Sequence, residues 1–255
     1  MIFAMLSKTS RVSTILLLNF SVLLSSVAAH AKSEILVGAA ADLQPLEPEL
    51  TRAFESATGA SVRFTFGSSG NLAQQIGHGA PYDVYLSANE GFVTRLADSG
   101  HLLKDSVQVY AQGRIGLWSK GGRIRSLSEL AQPAVRHISI ANPEHAPYGV
   151  AAREVLKNQG LWEKLTSKIV YGENVQQAFQ YAETGNADAA IIAWSLVANK
   201  GGILLPAAWH APIRQAGGVV ASSKNVPLAR RFVEFLAGPQ GRAVLTRFGF
   251  DPPSR

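Results

Sequence analysis

The chain has 255 residues, a net charge of +6 and 47% hydrophobic residues. That length supports one large or two small lobes with a sizeable core, and a mild positive excess with no basic run argues against nucleic-acid binding. There is no cysteine, which excludes disulfides, zinc thiolate sites and a cysteine nucleophile.

The six histidines, His30, His78, His101, His137, His145 and His210, are scattered, and no pair has the i, i+4 spacing of a helical metal site. At the N-terminus, Lys8 and Arg11 form a basic region, residues 12–27 are apolar, and Ala29-His30-Ala31 fits a small-x-small cleavage site. Residues 1–31 therefore read as a signal peptide, with the mature exported chain beginning at Lys32. No later segment is long and apolar enough to suggest a membrane span.

From there the elements alternate. Residues 34–39 form an apolar strand. A helix is expected from Asp42 through Phe54, on the spacing of Leu43, Leu46, Leu50 and Phe54. Residues 61–66 alternate as a second strand, and a Gly/Ser turn feeds a helix that begins near Asn71. Residues 82–87 make a third strand and 92–98 a third helix. This β-α-β-α-β order argues for a mostly parallel, doubly wound sheet, in which ligands bind beyond the carboxyl ends of the strands.

Two loops, 39–42 and 67–71, occupy that position. A strand that enters a helix through Gly and Ser presents unpaired N–H groups and the positive end of the helix dipole, which together cradle an anion. The alternative for each loop is an ordinary helix cap.

The plan then restarts. Residues 107–118 form a long apolar stretch able to cross between lobes. A strand at 137–141 feeds the loop 142–149 and a helix, Glu173-Asn174-Val175 opens another helix, and 187–194 is a buried strand. Residues 213–221 cross back, and terminal helices at 229–236 and 240–248 return to the first lobe. The fold expected is α/β with two lobes: 32–111 with 215–255, and 112–214. Asp83 is expected to fix the first lobe by hydrogen bonding.

Five segments, taken in order, resemble the periplasmic molybdate-binding proteins of bacterial ABC transporters, which are type II periplasmic binding proteins. They are Val37-Gly38-Ala39-Ala40-Ala41-Asp42-Leu43, the run from Phe66-Gly67-Ser68-Ser69-Gly70-Asn71 to Ile76, the run from Gly79-Ala80-Pro81-Tyr82-Asp83 to Ala88, the run from Asn142-Pro143-Glu144-His145 to Gly149, and Gly238-Pro239-Gln240. The resemblance implies a ligand, molybdate or tungstate, held in the inter-lobe cleft. It also implies delivery to an inner-membrane permease with its ATPase, a periplasmic location, a monomer, no cofactor, no cation site and no catalysis.

Site residues carry over one by one. Ser69 matches a serine that gives its hydroxyl and N–H, and Val175 matches a residue that binds through its N–H. Tyr148 matches a phenol that a second branch supplies from the strand position of Ala193. Where the family has Ser or Thr-Asn, this chain has Ala41-Asp42. Asp42 is expected to stay charged and cap its own helix, leaving the Ala41 or Asp42 N–H to face the oxyanion. A protonated, donating Asp42 is the other possibility. Sulfate, phosphate or an organic anion are rival ligands. An exported serine hydrolase is a rival class, although Gly67-Ser68-Ser69-Gly70 lacks the G-x-S-x-G spacing.

Overall fold

The computed structural model describes residues 33–253; the leader expected at 1–31 lies outside them. Strand β1 (Glu34–Ala40) is buried from Val37 onward on both faces, as the centre of a parallel sheet requires. It pairs in parallel with β2 (Ser61–Gly67) and β3 (Val84–Ser87). Between β1 and β2 the chain makes a 3-10 helix (Ala41–Leu46) and then α1 (Glu47–Thr58). The apolar spacing predicts a single helix here, and two prolines divide it. Pro45 sits in the 3-10 turns, and Pro48 lies in the first turn of α1, where an N–H would have no partner inside the helix. Helices α2 (Ser69–Gly77) and α3 (Glu90–Asp98) follow β2 and β3.

Strands β4 (Gln108–Gly113) and β5 (Ile115–Trp118) are separated by Arg114 alone, yet they belong to different sheets. The second lobe contains β6 (Ile138–Ala141), α4 (Pro147–Asn158), α5 (Trp162–Leu165), β7 (Ile169–Gly172), α6 (Val175–Thr184), β8 (Ala189–Ala193) and β9 (Ile203–Leu204). The chain then returns as β10 (Ile213–Val219), α7 (Val226–Ala237) and α8 (Pro239–Arg247).

The two five-stranded sheets run β2-β1-β3-β10-β4 and β7-β6-β8-β5-β9. In each, the first three strands are parallel and the fourth is antiparallel to both neighbours. The reversed strand, β10 or β5, is the one that has just arrived from the other lobe. The expected doubly wound α/β lobes are thus present, each with one antiparallel strand where the chain crosses. Asp83 ties the start of β1 to the chain after β10, accepting from the Leu36 N–H at 2.8 Å and the Ser223 hydroxyl at 2.6 Å.

One core fills the second lobe, and two cover the faces of the first sheet. The terminal helices belong to the first lobe: Phe54 of α1 meets Phe232 of α7 edge-on at 5.0 Å and Phe235 at 5.4 Å. Phe54 is fully buried. Phe54→Ala is therefore expected to lower the unfolding free energy by about 3–5 kcal/mol, as measured by urea denaturation. A loss below about 1 kcal/mol would mean that α7 does not close this core.

Candidate functional site

Strands β1 and β2 of the first lobe and β6 and β7 of the second all end at the same cleft. The helix that follows each one starts there. These four starts line a single cavity: Ala41 and Asp42 on the 3-10 helix, Ser68 and Ser69 at α2, Pro147 and Tyr148 at α4, and Asn174 and Val175 at α6. With the lobes joined as they are here, the space it leaves for the centre of a water-sized molecule is about 10 Å³. Among the described residues, none that lines it is Lys, Arg or His. Any attraction for an anion must come from backbone amides, helix dipoles and neutral hydroxyl donors.

The amides can be accounted for one by one. At α2, Gly70 N–H donates to the His145 carbonyl at 2.9 Å and Asn71 N–H to Ser68 Oγ at 3.4 Å. That leaves the Ser69 N–H, at the first helical position, outside the helix's own ladder. At α6, the Asn174 side chain accepts from Gln176 and Gln177 N–H, both at 3.0 Å, and leaves the Val175 N–H in the same condition. Ser69 is oriented as a donor. Its Oγ accepts from Ala88 N–H at 3.0 Å and its carbonyl accepts from the Tyr85 hydroxyl at 2.7 Å. The hydroxyl hydrogen is left for the cavity.

Asp42 is completely buried. Its Oδ2 accepts from the Tyr148 hydroxyl at 2.9 Å and from Gln215 Nε2 at 2.7 Å. Gln215 Nε2 also reaches the Tyr148 oxygen at 3.2 Å, and its Oε1 accepts from the Tyr110 hydroxyl at 3.1 Å. The other carboxyl oxygen, Oδ1, is buried and makes no hydrogen bond. Burial pushes the Asp42 carboxyl from the ordinary 3.8 up to about 7, against Tyr148, Gln215 and the nearby backbone N–H groups of Asp42 and Leu43, all of which favour the ion. Burial, and then the neighbouring Asp42 charge, hold the Tyr148 phenol well above its ordinary range, so it remains a neutral hydroxyl.

The lobes touch across the cleft. His145 Nδ1 lies 2.9 Å from Ser68 Oγ, and its Nε2 lies 3.8 Å from Glu173 Oε2. Asn71 Nδ2 donates to Glu173 Oε1, and Ser195 Oγ donates to the Asp42 carbonyl at 2.7 Å. Ser68, His145 and Glu173 thus come together, but as a clasp between lobes. The His–Glu separation exceeds hydrogen-bond reach, and Ser68 Oγ already caps α2.

A family model described as bacterial extracellular solute-binding protein matches residues 35–251. The chain belongs to this family of solute-binding proteins. Its relatives include the molybdate-binding proteins of Azotobacter vinelandii, 35% identical over 226 residues, covering 86% of this chain and 90% of that one, and of Rhodobacter capsulatus, 31% identical over 224 residues, covering 86% and 89%. The solved structure of the Azotobacter vinelandii periplasmic molybdate-binding protein superposes with a TM-score of 0.81 at 33% identity, covering 86% of this chain and all of that one. The two lobes therefore form a type II periplasmic binding fold.

In this solute-binding protein the residues singled out from sequence, Ala41, Asp42, Ser69, Tyr148 and Val175, all line the one cavity. One expectation is corrected. Asp42 does not cap its helix: the N-cap is Ala40, with no side-chain cap bond. Its carboxyl turns instead to Tyr148 and Gln215, and burial there disfavours the charge. Gln215 itself was not visible as a site residue. Its one sequence signal is an uncharged amide, beside Arg214, in the mostly apolar stretch 213–220. The Ser68–His145 and Asn71–Glu173 contacts join residues far apart in the chain and left no local pattern.

Two outcomes follow from this geometry. A Cβ at Gly70 would stand 2.8 Å from the His145 carbonyl oxygen and 2.9 Å from its Cβ. Gly70→Ala is expected to keep the lobes apart, leaving a larger radius of gyration by small-angle scattering. A scattering profile identical to wild type would show that the clasp is not needed for closure. For Asp42, the folded pKa of about 7 exceeds the ordinary 3.8. The stability it contributes is whole below about pH 4 and is lost as pH rises through 7. Asp42→Asn should remove that decline and be the more stable form at pH 8, by up to about 4 kcal/mol for a shift of that size, read by urea denaturation without oxyanion. Parallel pH profiles for the two proteins would show that Asp42 keeps an ordinary pKa in the fold.

Proposed function

We propose that this chain captures molybdate, and tungstate with it, in the cavity between its lobes and delivers it to a membrane ABC permease. The observation that carries the reading is the cavity itself: helix N-termini from both lobes, a serine hydroxyl and no cationic side chain. Such a set of fixed donors suits a fully deprotonated tetrahedral dianion. Each charge-assisted bond contributes a net of about 1.5–3 kcal/mol after the exchange with water, so several of them together hold the ion. Ala41, Asp42 and Ser69 contribute from the first lobe, and Tyr148 and Val175 from the second. Because both lobes contribute, the anion favours the state in which they meet. The four relative placements of these amides set a cavity size, and size separates molybdate and tungstate from the smaller sulfate and phosphate.

The relatives named as molybdate-binding proteins support the choice of ligand, and the extracellular family supports export. The protein acts in the periplasm as a monomer after loss of residues 1–31, without a cofactor or catalysis. The joined lobes present the surface that the permease reads.

Isothermal titration of the purified protein with molybdate, tungstate, sulfate and phosphate tests the proposal. One-to-one binding of the first two, with the others silent, is expected. Ser69→Ala should weaken molybdate binding by roughly tenfold or more, the equivalent of one charge-assisted bond, and Tyr148→Phe, which removes the donor to Asp42 Oδ2, should weaken it through Asp42. Silence toward molybdate and tungstate, or a stronger response to sulfate or phosphate, would overturn the assignment.

A further inference from the structure

A carboxyl group has no evident place beside a dianion, yet Asp42 lines the cavity and is 0% exposed. Its two oxygens differ. Oδ2 is an acceptor, held by Tyr148 and Gln215. Gln215 is fixed in that orientation because its own oxygen takes the Tyr110 hydroxyl. Oδ1 is buried with no partner. An ionised carboxylate offers acceptors only, so an unpartnered Oδ1 against an oxyanion oxygen would bring two acceptors and two negative charges together. A carboxylic acid with its proton on Oδ1 removes the charge and supplies a donor, while Oδ2 keeps both of its hydrogen bonds.

We propose that Asp42 binds the oxyanion as a carboxylic acid, so that the site takes up one proton from solution with each anion it captures. This rests on the oxyanion reading above and deepens it. The proton comes from the buffer, adds to Oδ1, and is shared with an anion oxygen. The anion itself stays deprotonated, and no other bond forms or breaks. Burial already brings the carboxyl close to neutral pH before any anion is considered, and an adjacent negative charge moves the balance further in the same direction.

The titratable groups facing Asp42 are Tyr148 and, one hydrogen bond further, Tyr110, both held neutral by burial. The segments packed against its helix carry Glu34 on β1, Glu47, Glu49, Arg52 and Glu55 on α1, Arg63 on β2, and Tyr181 and Glu183 on α6. The side-chain partners of the Asp42 carboxyl are Tyr148 and Gln215, and include none of these groups. His145 and Glu173, in the clasp at the start of α2, are the other titratable pair near the cavity.

The test is titration with sodium molybdate at pH 5.5 and pH 8 in buffers of differing ionisation enthalpy, which counts protons taken up. Wild type is expected to take up about one proton at pH 8 and close to none at pH 5.5, where Asp42 already holds it. Its affinity should fall about tenfold per pH unit above pH 7. Asp42→Asn supplies an N–H donor with no proton to gain, so its uptake should vanish and its affinity should no longer depend on pH. Molybdate bound at pH 8 without proton uptake overturns the proposal and leaves the oxyanion reading standing. Uptake retained in Asp42→Asn overturns it too. No molybdate binding by wild type at either pH overturns the oxyanion reading and the proposal with it.

Discussion

Burying an anion without a counter-charge, as proposed for this cavity, requires many weak donors aimed at one point, and the arrangement of the two sheets meets that requirement. Within a helix, backbone amides are free to donate only in the first turn. A helix start faces a cleft only if the strand before it ends there. Two strands in each lobe therefore have to run toward the cleft, and the two sheets have to present their carboxyl ends to each other. The strand orders β2-β1-β3-β10-β4 and β7-β6-β8-β5-β9 do this with the same plan twice. The antiparallel strand in each sheet is a consequence. A chain that leaves one sheet at its cleft end enters the other from the cleft, so it runs against the strands already there.

Buried phenols hold the polar groups that line the cavity. Tyr85 donates to the Ser69 carbonyl, Tyr110 to Gln215 and Tyr148 to Asp42. All three phenols are buried, and burial keeps each one protonated. They form a set of neutral donors that hold the site's own groups in place, as a buried polar network must if it is not to cost stability. Gln215 belongs to β10, the strand by which the chain returns from the second lobe, so it links the anion site to a crossing. The Asp42 carboxyl is therefore in contact with a residue of the returning strand as well as with Tyr148 of the facing lobe.

Much of the fold was legible in the sequence because its signals are local. Period-2 and period-3.6 apolar spacing marked the strands and helices, and Gly, Ser and Asn marked the strand-to-helix turns. The helix expected from Asp42 was divided because Pro45 and Pro48 act on backbone hydrogen bonds, which apolar spacing does not record. Ser69 and Val175 could be placed because a helix start is itself a local pattern. What Asp42 does could not be read the same way. Asp at a helix start ordinarily caps, and only the arrival of Tyr148, more than a hundred residues away, and of Gln215, further still, makes it a buried group with one oxygen unmet. Helix-end propensity lost to tertiary burial at this position, which is where the chain also departs from the pattern it resembles.

The clasp sets how much the ligand has to do. Ser68–His145, Gly70–His145, Asn71–Glu173 and Ser195–Asp42 are contacts between lobes made by protein groups alone. They lower the free energy of the joined state whether or not an anion is held. A ligand shifts a two-state equilibrium only by its differential affinity for the two states. With part of the closure free energy supplied by the clasp, fewer donor bonds are needed to complete the shift, and the remainder of the binding energy appears as affinity. The same contacts limit how far the walls can spread, because Gly70 already lies against the His145 backbone with no room for a methyl group. A cavity that cannot widen, lined by donors that cannot gain or lose charge, recognises an anion by its dimensions. Asp42, the one lining group that can change its charge, stands apart from that rule, and its protonation is the means by which a carboxyl can belong to such a site.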